Sequence, residues 1–262
     1  VQAYHHWVRA AMVTNMPYDE FARALLTSSG SNFRVPPVNF YRAIPGRKPA
    51  DIAAAVALTF MGTRLDTWPE AQRNELANIF SRLAYKGTAE WKEQIVLLDP
   101  SATEPLDVVF PDGSRAHIPA DMDPRVAFAD WLIRADNKWF ARAVVNRMWY
   151  WVMGHGIIHE ADDIRPDNPA ACPGLLEVLE KELVSSGWDL RAVYRLILNS
   201  RSYQQCSLHA EGAEPGVRFA YYTLRLLDAE VLNDALTWLG GPGESYSSPI
   251  PEPFTWIPPE QR

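Results

Sequence analysis

NKWFARAVVNRMWYWVMG, residues 137–154, decides the fold class. Phe140, Val144, Val145, Met148 and Val152 fall on one broad face at helical spacing, so the stretch reads as a long amphipathic helix. Arg142, Asn146 and Arg147 cross that helix as a polar strip, because residues one turn apart share a face. Trp149 and Trp151 are two positions apart and point to different faces, one toward the core and one outward. Gly154 is placed to stop the helix.

The helical pattern continues on both sides. DPRVAFADWLIRA (123–135) precedes it, and CPGLLEVLEKELVSSG (172–187) follows, with Pro173 in its first turn and Gly187 past its end. WDLRAVYRLILNSRSY (188–203) and LDAEVLNDALTWLGG (227–241) read the same way. So do AYHHWVRAAMVTN (3–15), MPYDEFARALLTSSG (16–30, stopped by Gly30), the strongly apolar ADIAAAVALTFMG (50–62) and WPEAQRNELANIFSRLAY (68–85). SNFRVPPVNFYRAIPGRKP (31–49) reads as a loop. The period changes only in EQIVLLD and LDVVF, which read as strands, with PDG at 111–113 as a turn. The expected fold is mainly α: helical bundle-like domains with a small β-hairpin or sheet insertion near residues 94–118. The expected division is a helical region over 1–100, a β-rich connector over 101–122, a second helical domain over 123–241 and an extended, proline-rich tail over 242–262. The ends read as those of an excerpt from a longer protein.

The 262 residues carry 25 Lys and Arg against 32 Asp and Glu, a net charge of -7, which argues against a nucleic-acid partner. No apolar run is long enough for a membrane span. Ten tryptophans supply large aromatic anchors, for the core or for a sugar-binding groove. Cys172 and Cys206 read as two free thiols, with pairing in an oxidising compartment as the alternative.

Chemistry-bearing residues concentrate in GHGIIHEADDIRPDNP, residues 154–169. One reading is architectural. Asp162 or Asp163 accepts N–H groups in a turn, Arg147 and Arg165 pair with the carboxylates, and Asn168 or Asp167 starts the next helix. The other is functional. Asp162, Asp163 and Glu160 are the catalytic candidates, with one of the adjacent aspartates kept protonated as a general acid by the other, and the two aspartates, with Glu160 or His159, hold a divalent cation. Against a shared site, adjacent side chains on extended backbone point opposite ways. His155, Arg165 and Asn168 complete the loop's binding candidates; Arg142, Asn146 and Arg147 supply those of the helix. Glu230 and Asp234, four apart, are expected to pair with Arg147, Arg201 or Arg225 in a buried ionic network.

FARAVVNRMW, GHGII followed by DD, GWDLRAVYRLILNSRSYQ and LRLLDAEVLNDAL, in that order, resemble the planctomycete-type domain of unknown function 1553. Residues 1 to about 100 resemble part of its usual partner, domain of unknown function 1549. The resemblance implies an extracytoplasmic protein, associated with polysaccharide breakdown and with cytochrome c-type modules. Two functions follow as expectations: a glycan-binding or hydrolytic component, or a non-enzymatic scaffold that docks a cytochrome c-type module in an envelope electron-transfer assembly. Where many relatives carry a haem-type CxxCH after the segment corresponding to FMGTRL, this chain reads DTWPEAQR, so covalent haem within these residues is excluded.

Overall fold

The computed structural model describes residues 2–208, 219, 221–222 and 224–241. The chain is mainly α-helical with small antiparallel sheets, as its periodicity predicts. The proposed tail over 242–262 lies outside the described residues.

The first helices are α1 (Gln2–Val13) and α2 (Tyr18–Thr27), the latter with Asp19 and Glu20 in its first turn, where the helix dipole favours acids. Gly30 does not simply end α2. It opens the short strand β1 (Gly30–Ser31), at a φ of 124° that a side chain would strain. The stretch read as a loop contains a 3₁₀ turn at Pro36–Val38 and helix α3 (Asn39–Ala43). Helix α4 (Pro49–Val56) runs straight into a π-helical turn at Ala57–Met61, which stops at the left-handed Gly62. Helix α5 (Glu70–Ile79) ends earlier than its apolar pattern suggests, because Leu83 and the residues after it form strand β2 (Leu83–Gly87). Strand β3 (Gln94–Leu98) pairs antiparallel with both β1 and β2, and β4 (Leu106–Val109) forms a hairpin with β5 (Arg115–Ile118). The β region therefore starts before residue 94 and recruits a distant partner at residue 30.

Helices α6 (Pro124–Leu132), α7 (Phe140–Met153), α8 (Pro173–Ser185) and α9 (Leu190–Leu198) follow, then α10 (Ala229–Gly240). The predicted stripe of α7 is buried, with Trp149 1% exposed and Trp151 52%. A single cluster of buried apolar side chains runs from Leu25 and Phe60 through Phe128 and Trp149 to Ile197. Two buried arginines tie the halves together. Arg125 bonds Asp123, the Ser28 carbonyl and the Ser29 hydroxyl, joining α6 to the end of α2. Arg82 donates to the carbonyls of Glu104, Pro119, Ala120 and Met122 and so gathers the β4–β5 hairpin. Each would cost several kcal/mol if buried unpaired, so these bonds fix the chain crossings (about 3–5 kcal/mol for a stranded buried charge).

Candidate functional site

The loop after α7 is held from inside the helix that precedes it. Asn146 is fully buried; its Nδ2 donates to the carbonyls of Ile158 (3.0 Å) and Ala161 (3.3 Å), and its Oδ1 accepts from the Ile158 N–H (2.9 Å). The amide side chain thus takes the place of a missing strand partner. Gly154 ends α7 in the left-handed conformation, its N–H on the Tyr150 carbonyl. Gly156 is required by space: a Cβ there would lie 2.1 Å from the Ile158 oxygen. Gly62 makes similar room, for Ala143 and Ile164, and its carbonyl accepts the Ile164 N–H at 2.8 Å. The His159–Glu160 peptide is cis.

The two aspartates do not share a site. Arg147 donates from Nε (3.0 Å) and Nη2 (2.5 Å) to Asp162 and also bonds the carbonyls of Thr59 and Leu58, so it pins the loop to the π turn. Asp163 faces Arg165, with Oδ2 3.1 Å from Nε, a close charge contact without the alignment of a hydrogen bond. Arg165 also approaches Asp167 at 3.4 Å. Asn168 does not start a helix. Its amide turns back onto the carbonyls of His159 (2.6 Å) and Asp163 (2.9 Å), while α8 begins at Pro173 without a side-chain cap. Glu160 is exposed. Among the described residues, no three His, Cys, Asp or Glu side chains gather as a metal ion would need.

The other candidates are scattered. Arg142 bonds Glu180 of α8 at 2.7 Å. His155 packs on His159, ring centroids 5.0 Å apart; partial burial, then the neighbouring imidazole, lowers its pKa below the ordinary histidine value. Arg225 caps α7 through the carbonyls of Trp151 and Val152. Arg201, Glu230 and Asp234 are exposed, and no residue of α10 is buried. The expected buried ionic network is therefore absent among the described residues, because the described part of the fold does not cover α10. Cys172 and Cys206 are unpaired.

What the loop does build is one wall of a cleft of about 410 Å³. Ile164, Arg165, Pro166 and Asp167 face Trp68, Trp139 and Gln72 across it. The two indoles are half-buried, 6.4 Å apart between ring centroids and inclined at 44°. Trp68 donates its N–H to Thr63, whereas the Trp139 N–H and the Gln72 amide have no partner among the described residues. Arg142 lies beyond the other face of the loop, in a separate cleft it shares with Arg165 and Pro166. Neither Arg147 nor Asp162 lines a described cleft. Sequence reasoning missed Trp68, Trp139 and Gln72; the abundance of tryptophan was the only signal available for them.

Residues 124–253 match the model of a family described as PSD1, protein of unknown function (DUF1553). The chain carries a DUF1553 domain. The match begins at the first residue of α6 and takes in α7, the loop and the helices after it, while Trp68 and Gln72 come from outside it. No curated protein and no solved structure matches the chain.

Proposed function

We propose that the chain binds a glycan in the cleft lined by Trp68 and Trp139, as an extracytoplasmic component of polysaccharide breakdown. One observation carries the reading: two half-buried indoles stand side by side in a cleft whose rim holds an indole N–H and an amide without partners among the described residues, a carboxylate and a guanidinium. The C–H face of a sugar ring stacks on indole, and its hydroxyls need donors and acceptors at the edge of the same surface. Asp163 then works as a positioning residue, holding Arg165 in the wall. Asn146 and Arg147 keep the loop that carries both in place. Binding is favoured over hydrolysis, because two carboxylates flanking a scissile bond are the usual requirement, and Asp167 is the one carboxylate among the lining residues of this cleft.

The test is isothermal titration against a panel of soluble glycans, with Trp139→Ala, Trp68→Ala and Asp163→Asn beside the parent chain. The tryptophan variants should lose binding at least tenfold while their melting curves remain cooperative. No binding anywhere in a broad panel would end the proposal. A second reading, docking of a cytochrome c-type module, draws on α10, where Leu236, Trp238 and Leu239 are 59%, 87% and 77% exposed. Its test is complex formation with c-type cytochromes on size exclusion, abolished by Trp238→Glu.

A further inference from the structure

The cleft does not stop at Trp139. A second hollow, about 150 Å³, is also lined by that indole and lies between the tip of the β4–β5 hairpin and the turn joining α6 to α7. Trp139 lines both, and the hairpin tip borders both, through Pro111 on one side and Asp112 on the other. Behind the second hollow lies Trp131, itself buried, its ring 5.6 Å from Trp139 and stacked on Phe110. Its position is fixed by a 2.9 Å bond from the Trp131 N–H to Asp112. Asn137 is committed to the start of α7, accepting from the N–H groups of Trp139 and Phe140, so the edge that carries Trp139 is rigid.

The charges decide what class of chain fits. In the second hollow Asp112 and Asp136 stand against Arg134 and Lys138, and Arg134 is already engaged by Asp136 at 2.6 Å. In the first, Arg165 is matched by Asp163 and Asp167. Neither hollow offers a net positive charge to a sulfate or a uronate.

We infer that Trp139 divides two adjoining subsites of one groove, which takes a neutral oligosaccharide of at least two sugar units. The inference rests on glycan binding at the first cleft and adds its length and charge class. The larger hollow holds the unit stacked against the wall formed by Trp68 and Trp139. The smaller receives the next unit beside Trp139, with Lys138, whose ammonium has no carboxylate partner among the described residues, as a donor to its hydroxyls.

Titration calorimetry with neutral gluco- and manno-oligosaccharides of one to six units, beside sulfated and uronate counterparts, tests it. Affinity should rise at least tenfold from the best monosaccharide to its disaccharide and then level off through the trisaccharide and longer chains. Lys138→Ala, an exposed substitution with little bearing on folding, should cut that gain to threefold or less. A trisaccharide that binds no better than its monosaccharide overturns the second subsite and leaves glycan binding standing. Tenfold preference for the sulfated or uronate chain overturns the neutral assignment. Absence of binding at every length overturns both readings together.

Discussion

Replacing Asn146 by alanine tests the physical core of the site. The side chain is fully buried and makes three bonds, two to the N–H and carbonyl of Ile158 and one to the carbonyl of Ala161. A neutral internal hydrogen bond contributes about 0.5–1.5 kcal/mol net, and a buried backbone group left without a partner costs about 1–3 kcal/mol. Ile158 is itself 3% exposed, so water cannot readily replace the lost partner at its N–H or its carbonyl. Removing the amide therefore destabilises the chain by about 3–5 kcal/mol, which for a protein of this size lowers the melting temperature by roughly 10 °C. Urea unfolding followed by circular dichroism measures the loss, and hydrogen exchange at the Ile158 amide shows whether it is local. Asn146→Asp is the control of equal volume. It keeps an acceptor for the Ile158 N–H but sets a carboxylate against two carbonyls, and it should be at least as damaging as alanine. A loss below about 1 kcal/mol with Ile158 still protected would refute the idea that this amide holds the loop.

Three further outcomes follow from the same geometry. Arg147→Lys keeps the charge but not the fork that reaches Asp162, Thr59 and Leu58 together, and should cost about 1–2 kcal/mol in urea unfolding; an unchanged midpoint would mean the contacts to the π turn are incidental. Burial alone would push the Asp112 carboxyl up, but hydrogen bonds from Ser114 and Trp131, aided by Arg134, outweigh it and hold the group below the ordinary carboxylate range. The stability it supplies is present above the unfolded-state pKa, about 4, and is lost as pH falls through the lower folded value. The gap in melting temperature between the parent and Asp112→Asn should close below that point, and a gap constant to pH 2.5 would count against it. For His155 the folded pKa lies below the unfolded one, near 6.5, so stability is present above that value and falls as pH drops from it toward the folded pKa. Melting curves from pH 8 to pH 5 should show this loss in the parent chain and a flatter profile in His155→Gln.

The helices were legible because their signal is local. The apolar face of α7 recurs every turn, and Gly154 and Gly187 mark ends that the structure places where the sequence does, both with positive φ. Asp162 and Asp163 bind different arginines, but a turn over residues 160–163 separates them rather than the alternation of extended backbone. Where the pattern failed, the deciding partner was far away in sequence. Leu83 continues an apolar helical stripe, yet it pairs with Leu98 in a sheet whose third strand is contributed by Gly30 and Ser31. Arg125 beside Asp123 looks like a solvent-exposed pair, and it is buried only because Ser28 and Ser29 arrive from α2. The candidate site repeats that lesson. Residues 154–169 drew attention because histidines and carboxylates crowd together there, but turn-building also needs polar groups close in sequence, since each must reach backbone a few residues away. Asn168 does this work, its amide reaching the carbonyls of His159 and Asp163. A cleft has the opposite requirement: its walls come from separate elements, as Trp68, Pro111, Trp139 and Arg165 do. Density of chemistry along a chain therefore points first to the clasp, and the surface that the clasp holds in shape is where a ligand is to be sought.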